Sequence, residues 1–192
     1  MPSTFSHKLL LAALSVACVL VLAPTAWGQT STATTGGGAS FVPPPPPPAK
    51  ATLVDGRLIA PASAPRRVKR AIAFANQIVE KPYLYGGGHK PFVRGVLDRG
   101  YDCSGAVSHA LRGGRFLRSP LPSGPMMRWG ASGPGRWITV YAHGGHAYVV
   151  IAGFRFDTSM RDPDAPGPST GPRWSKTLRT SSAFVARHPR GY

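Results

Sequence analysis

Apolar residues follow a different rule in each of three stretches of this chain. Over residues 9–22 they form an almost unbroken run. Between Val68 and Val79 they recur in steps of three and four, at Val68, Ala71, Ile72, Ala75, Ile78 and Val79. That spacing gives one apolar face to an amphipathic helix, which starts at Ser63 or Ala64 ahead of Pro65 and is stopped by Pro82. From Trp137 onward the apolar residues come as short β-branched and aromatic runs. These predict strands at 137–142, 147–151 and 154–158, with Ala152-Gly153 as the turn between the last two. Between the helical and strand regions, Tyr83-Leu84-Tyr85 runs into Gly86, Gly87 and Gly88 and reads as a tight loop. Asp102-Cys103-Ser104-Gly105 then opens a second helical segment at 106–111. Residues 119–135 are a Pro- and Gly-rich loop, residues 51–65 a lead-in with one short strand at 52–54, and the tail after Ser159 carries no legible pattern. Helix, helix, then an antiparallel meander predicts an α+β fold.

The ends read differently from the middle. Lys8 before the apolar run, a break at Ala23-Pro24-Thr25, and the small residues of Ala26-Trp27-Gly28 before Gln29 have the form of a cleaved export signal. The run is short of the about 20 residues a membrane helix needs, so no stable membrane insertion is expected after cleavage. Residues 29–62 are Ser-, Thr-, Gly- and Pro-rich, and 43–48 are all proline. A flexible piece followed by an extended polyproline rod suits a spacer. The expected organisation is a signal peptide at 1–28, a linker at 29–62 and a folded domain at 63–192.

Composition changes the picture in two ways. The 192 residues carry 23 Lys and Arg against 7 Asp and Glu, a formal charge of +16, which favours polyanionic surroundings. The basic residues are scattered, and zinc-finger spacing, a basic zipper and RNP-like aromatics are all missing, so no nucleic-acid partner is expected. Of the 2 cysteines, Cys18 leaves with the signal and Cys103 remains alone. Exported domains ordinarily use cysteines in pairs, so a single thiol is either an apolar filler or kept for its reactivity.

Its neighbours favour reactivity. A cysteine at a helix start gains thiolate character from the free N–H groups and the helix dipole, and the same N–H groups can receive an oxyanion. Ser104 and Gly105 leave room for a substrate carbonyl. The base has to come from elsewhere among 6 histidines. His7 leaves with the signal, His188 sits in a basic tail, and His109 turns away from the sulfur. His89 lies in the glycine loop with nothing in the sequence to fix it. His143 and His146 flank Gly144-Gly145, and His146 directly enters the strand at 147–151, making it the candidate base. If the turn at Ala152-Gly153 holds an even number of residues, Asp157 shares the face of His146 and can orient its ring; an odd loop would put Thr158 there instead. No ligand pair has metal spacing, so neither metal nor cofactor is expected.

The DCSG at 102–105, the PYLYGG at 82–87 and a downstream His opening a Val-rich strand resemble the NlpC/P60 family of bacterial cell-wall cysteine peptidases. The resemblance covers roughly 66–159. It implies a papain-like α+β fold, with N-terminal helices packed on an antiparallel sheet. It further implies hydrolysis of amide bonds in peptidoglycan stem peptides, typically of the γ-D-glutamyl endopeptidase type, by a secreted or wall-associated enzyme. Position by position, it makes Cys103 the nucleophile and His146 the base, with Asp102 and Ser104 helping to hold the substrate's amino end and Tyr83 lining the site. Two departures stand out: residues 89–101 lengthen the link between the two motifs, and the third catalytic position, commonly His, Asn or Gln, is here Asp157. A wall-binding module of the same fold without turnover, and an acyl or amide transferase, are the other functions the sequence allows.

Overall fold

The computed structural model describes residues 46–47, 49–159, 170–179 and 182–192. The apolar run, the cleavage site and most of the spacer lie outside the described residues. Among the described residues, no helix is long and apolar enough to cross a membrane.

In chain order the elements are β1 (Thr52–Val54), β2 (Arg57–Ile59), α1 (Arg66–Asn76), α2 (Cys103–Gly113), α3 (Ser123–Met126), β3 (Ala131–Ser132), β4 (Ile138–His143), β5 (His146–Ile151), β6 (Phe154–Asp157), β7 (Arg173–Ser175) and β8 (Val185–His188). Helices pack on a 6-stranded antiparallel sheet of order β3-β8-β4-β5-β6-β7. The architecture is α+β, as the order of patterns implies.

The apolar stripe of α1 buries Val68, Ala71, Ile72 and Ala75. It meets Ala106, Val107, Ala110 and Leu111 of α2 in one core, which continues into Val140, Ala142, Ala147, Val149 and Ile151 of the sheet. The helix does not run to Pro82. It ends at Asn76 because the Asn76 side chain is engaged elsewhere: Nδ2 donates to Leu58 O at 2.9 Å, and Oδ1 accepts from Leu58 N at 3.0 Å and Trp174 Nε1 at 2.8 Å. The chain then tightens into turns, with Ile78 N donating to Ala75 O at 3.1 Å and Lys81 N to Ile78 O at 3.0 Å. Ile78 is still fully buried, now from a turn, which is why the periodicity outruns the helix.

Residues 51–62, read from the sequence as the end of the spacer, are folded. β1 and β2 form a hairpin around Asp55-Gly56, both at positive φ (47° and 72°), the conformation a tight two-residue turn demands. Leu58 is buried against Asn76, and Ala51 N donates to Ala152 O at 3.0 Å. The short strand expected at 52–54 is β1, whereas β2, also of 3 residues, is too short to alternate visibly.

β4, β5 and β6 form the expected meander, and the tail adds to it. β7 pairs with β6 through Phe156↔Trp174, and β8 inserts between β3 and β4 through Val140↔Arg187 and Ala131↔His188. Arg-Trp-Ser and Val-Ala-Arg-His have little strand character of their own; the edges of the existing sheet template them.

Candidate active site

Cys103 is the first residue of α2, and the residue before it builds the helix start. Asp102 caps the helix, its Oδ1 accepting from Gly105 N at 2.7 Å. Oδ1 also meets His89 Nε2 at 2.9 Å and accepts from Ser104 Oγ at 3.2 Å, while Oδ2 accepts from Gly86 N at 3.1 Å. One carboxylate thus ties the helix start to the glycine loop. Backbone bonds reinforce this: Asp102 N donates to Gly87 O at 3.2 Å, Leu84 N to Tyr101 O at 3.2 Å and Tyr101 N to Pro82 O at 3.0 Å. Gly105 is where the two segments touch, since a Cβ there would lie 2.0 Å from Gly87 O. Burial works against ionising Asp102, but the bonds from His89, Gly105 and Gly86 outweigh it and hold its carboxyl below the ordinary value.

His146 opens β5. The pairing Ile151↔Phe154, Val150↔Arg155 and Val149↔Phe156 runs through the two-residue turn Ala152-Gly153, so parity puts Asp157 on the face of His146. The contact is direct, with His146 Nε2 2.9 Å from Asp157 Oδ1. The Asp157 side chain is fully shielded from solvent. It also accepts from Ser159 N at 3.0 Å and Ser159 Oγ at 2.9 Å, and Arg155 Nε and Arg179 Nη1 each lie 3.6 Å from Oδ2. Burial opposes its ionisation, yet His146 and Ser159 hold its pKa down to about 2.

With Nε2 turned to Asp157, the other ring nitrogen of His146 is left for Cys103, and the two groups lie close enough to shift each other's titration. Burial pushes the thiol up, but His146 and the Ala147 N–H draw it below its ordinary value, against a smaller opposing effect of Asp102. Burial likewise disfavours the imidazolium, and Asp157 and Cys103 overcome this to raise His146 to about 9. Both shifts favour the thiolate and imidazolium forms of the pair. Among the described residues the Cys103 and Ser104 N–H groups, in the first turn of α2, have no protein hydrogen-bond partner. The Phe184 ring stands edge-on to His146 at 6.1 Å between centroids.

The remaining sequence candidates fall around this centre. Tyr83 is exposed, near enough to Cys103 and Asp102 for their charge, together with its partial burial, to raise its phenol. Ser104 is buried, bridging Asp102 and His89. His143 lies beyond His146, accepting from Gly145 N at 3.0 Å, and His109 is buried between the Phe74 and Tyr101 rings. His188 belongs to β8 and faces Gly133 O at 2.9 Å.

Two participants escaped the sequence reading. His89 is held by Asp102 through a loop closure that no local pattern announces. Ser159 did leave a trace: an Asp followed two residues later by Ser is the spacing of a local side-chain-to-backbone turn. Among the described residues, no group of three or more His, Cys, Asp or Glu side chains is placed to hold a metal ion.

No protein-family model matches this chain, and no curated protein does. Solved structures similar to it include Rv1477, a hypothetical invasion protein of Mycobacterium tuberculosis, at 21% identity over 65% of this chain and 65% of that one, TM-score 0.44. A second is the resuscitation promoting factor interacting protein RipA, in a form mutated at a cysteine, at 23% identity over 65% and 66%, TM-score 0.45. A third is the P60 domain of the M. avium subspecies paratuberculosis antigen MAP1204, at 20% identity over 63% and 93%, TM-score 0.42. The chain spans just under two thirds of the length of the first two.

Proposed function

We propose that this chain is an exported, cell-wall-associated cysteine peptidase that hydrolyses amide bonds in peptidoglycan stem peptides, with residues 63–192 as its catalytic domain. The observation that carries the reading is a thiol at a helix start, beside an imidazole whose Nε2 is held by a buried carboxylate. The DCSG and PYLYGG motifs support the substrate class.

In this mechanism the Cys103 thiolate attacks the scissile carbonyl carbon, and the Cys103 and Ser104 N–H groups stabilise the oxyanion. His146 gives its proton to the departing amine, leaving an acyl-thioester. A water then loses a proton to His146 and attacks the thioester, releasing the acid and regenerating the pair. Asp157 keeps the ring in the one orientation that serves both transfers. Asp102, Ser104 and Tyr83 border the thiol and receive the amino end of the substrate, with a γ-D-glutamyl bond as the expected point of cleavage.

The test is mass analysis of purified muropeptides incubated with the chain or with Cys103→Ala. New fragments at one defined amide bond are expected from the first and none from the second. Intact muropeptides in both reactions, or equal cleavage in both, would remove the proposal.

A further inference from the structure

Five arginines, Arg70, Arg94, Arg112, Arg115 and Arg118, line one open cleft of about 850 Å³ with Phe74 and Leu117. They come from separate parts of the chain: Arg70 from α1, Arg94 from the inserted loop at 89–101, Arg112 from the last turn of α2, and Arg115 and Arg118 from the segment after it. No acidic residue lines the cleft. Asp98, in the same inserted loop as Arg94, accepts from Gly88 N at 2.8 Å. Among the described residues, the side chains of Arg70, Arg94, Arg115 and Arg118 make no hydrogen bond or ion pair, and all four are exposed.

Helix capping does not account for this set. Basic residues at a helix end complement its dipole. Here, however, Arg67 already does that work, donating to Gly114 O and Arg115 O at 2.7 Å each. Arg112 is steadied by Val93 O and the Phe92 ring. The others converge without a partner, and like charges gathered in one concavity cost stability unless an anion compensates them. Guanidinium forks match phosphate and carboxylate oxygens, and the concave walls focus their field. The cleft is remote from the chemistry: Arg112 lies nine residues along α2 from Cys103, about 13 Å at the helical rise.

We propose that this cleft is an anchoring site for a phosphodiester-linked wall polymer, separate from the catalytic centre, that holds the enzyme on its substrate matrix. The proposal rests on the functional reading above only for where the ligand is met. A nucleic acid shares the phosphodiester chemistry but fits less well. Single strands bind through exposed aromatic platforms, and the one aromatic ring lining this cleft, Phe74, is half-buried and packed on His109.

The test uses fluorescent poly(glycerol phosphate) as probe, titrated with the full chain, with Arg94→Gln/Arg115→Gln/Arg118→Gln, and with Arg128→Gln/Lys176→Gln/Arg190→Gln, which removes equal charge elsewhere. Binding should weaken about tenfold or more in the cleft variant, with a shallower dependence on salt, and change less than about twofold in the control. Equal weakening in both would reduce the effect to net charge and overturn the proposal. So would tighter binding of single-stranded DNA of the same charge. Soluble muropeptides separate the two readings. If the cleft variant still cleaves them but the polymer does not bind the parent chain, the anchor alone fails. If the parent chain binds polymer but cleaves nothing, the peptidase reading alone fails.

Discussion

Asp157 is the residue on which most of the electrostatics turns. Its carboxylate raises His146 to about 9 and is itself held at about 2. A raised imidazole pKa stabilises the fold fully below its ordinary 6.5, and that contribution is lost as pH rises through about 9. The depressed carboxyl stabilises above its ordinary 3.8, and its contribution is lost as pH falls through about 2. In the proposed mechanism the thiolate–imidazolium pair sets the window, so kcat/KM against pH should show an alkaline limb near 9. Asp157→Asn should bring that limb down toward the ordinary histidine value and lower kcat/KM by roughly 10²-fold or more. An unmoved alkaline limb in that variant would show that Asp157 does not orient the base. Asp157 was legible in the sequence because a two-residue turn preserves parity. His89 was not, since its partner is fixed by a backbone closure 13 residues away in sequence.

Among the elements, the start of α2 and the glycine loop form one unit, and Gly105 is the hinge of their contact. Gly105→Ala would force a Cβ against Gly87 O. It should destabilise by about 1–3 kcal/mol in denaturant unfolding. It should also slow alkylation of Cys103 by iodoacetamide, because the loop that grips Asp102 is pushed away. Full stability with unchanged alkylation would mean that the loop yields without consequence. On the other side of the core, Trp174 is buried against the Phe156 ring at 4.7 Å and donates to Asn76. Trp174→Ala should cost about 3–5 kcal/mol, read from the unfolding midpoint, and a change under 1 kcal/mol would leave β7 a mere appendage. The helix end at Asn76 and the strand at Trp174 are therefore one fact seen from two places. Neither element announces it, since a side-chain bond across 98 residues leaves no periodic trace.

At the scale of the folded domain, residues 182–192 complete the sheet. β8 lies between β3 and β4, and Tyr192 O accepts from Trp137 N at 3.2 Å while its ring meets Phe116 at 5.0 Å. Removing residues 182–192 should bare the β4 edge and abolish a cooperative near-UV circular dichroism transition. A retained sharp transition would show the meander to be self-sufficient. The helix stripe, the three-strand meander, the cysteine at a helix start and the histidine at a strand entrance were all readable in the amino-acid order, because each depends on spacing within one short segment. Folding settled the rest: the pairing of the 52–54 strand with β2, the strands of the tail, the His89 clasp and the gathering of five arginines in one cleft. Those features join segments distant in the chain, and it is the packing of α1 and α2 on the sheet that brings them within reach of one another.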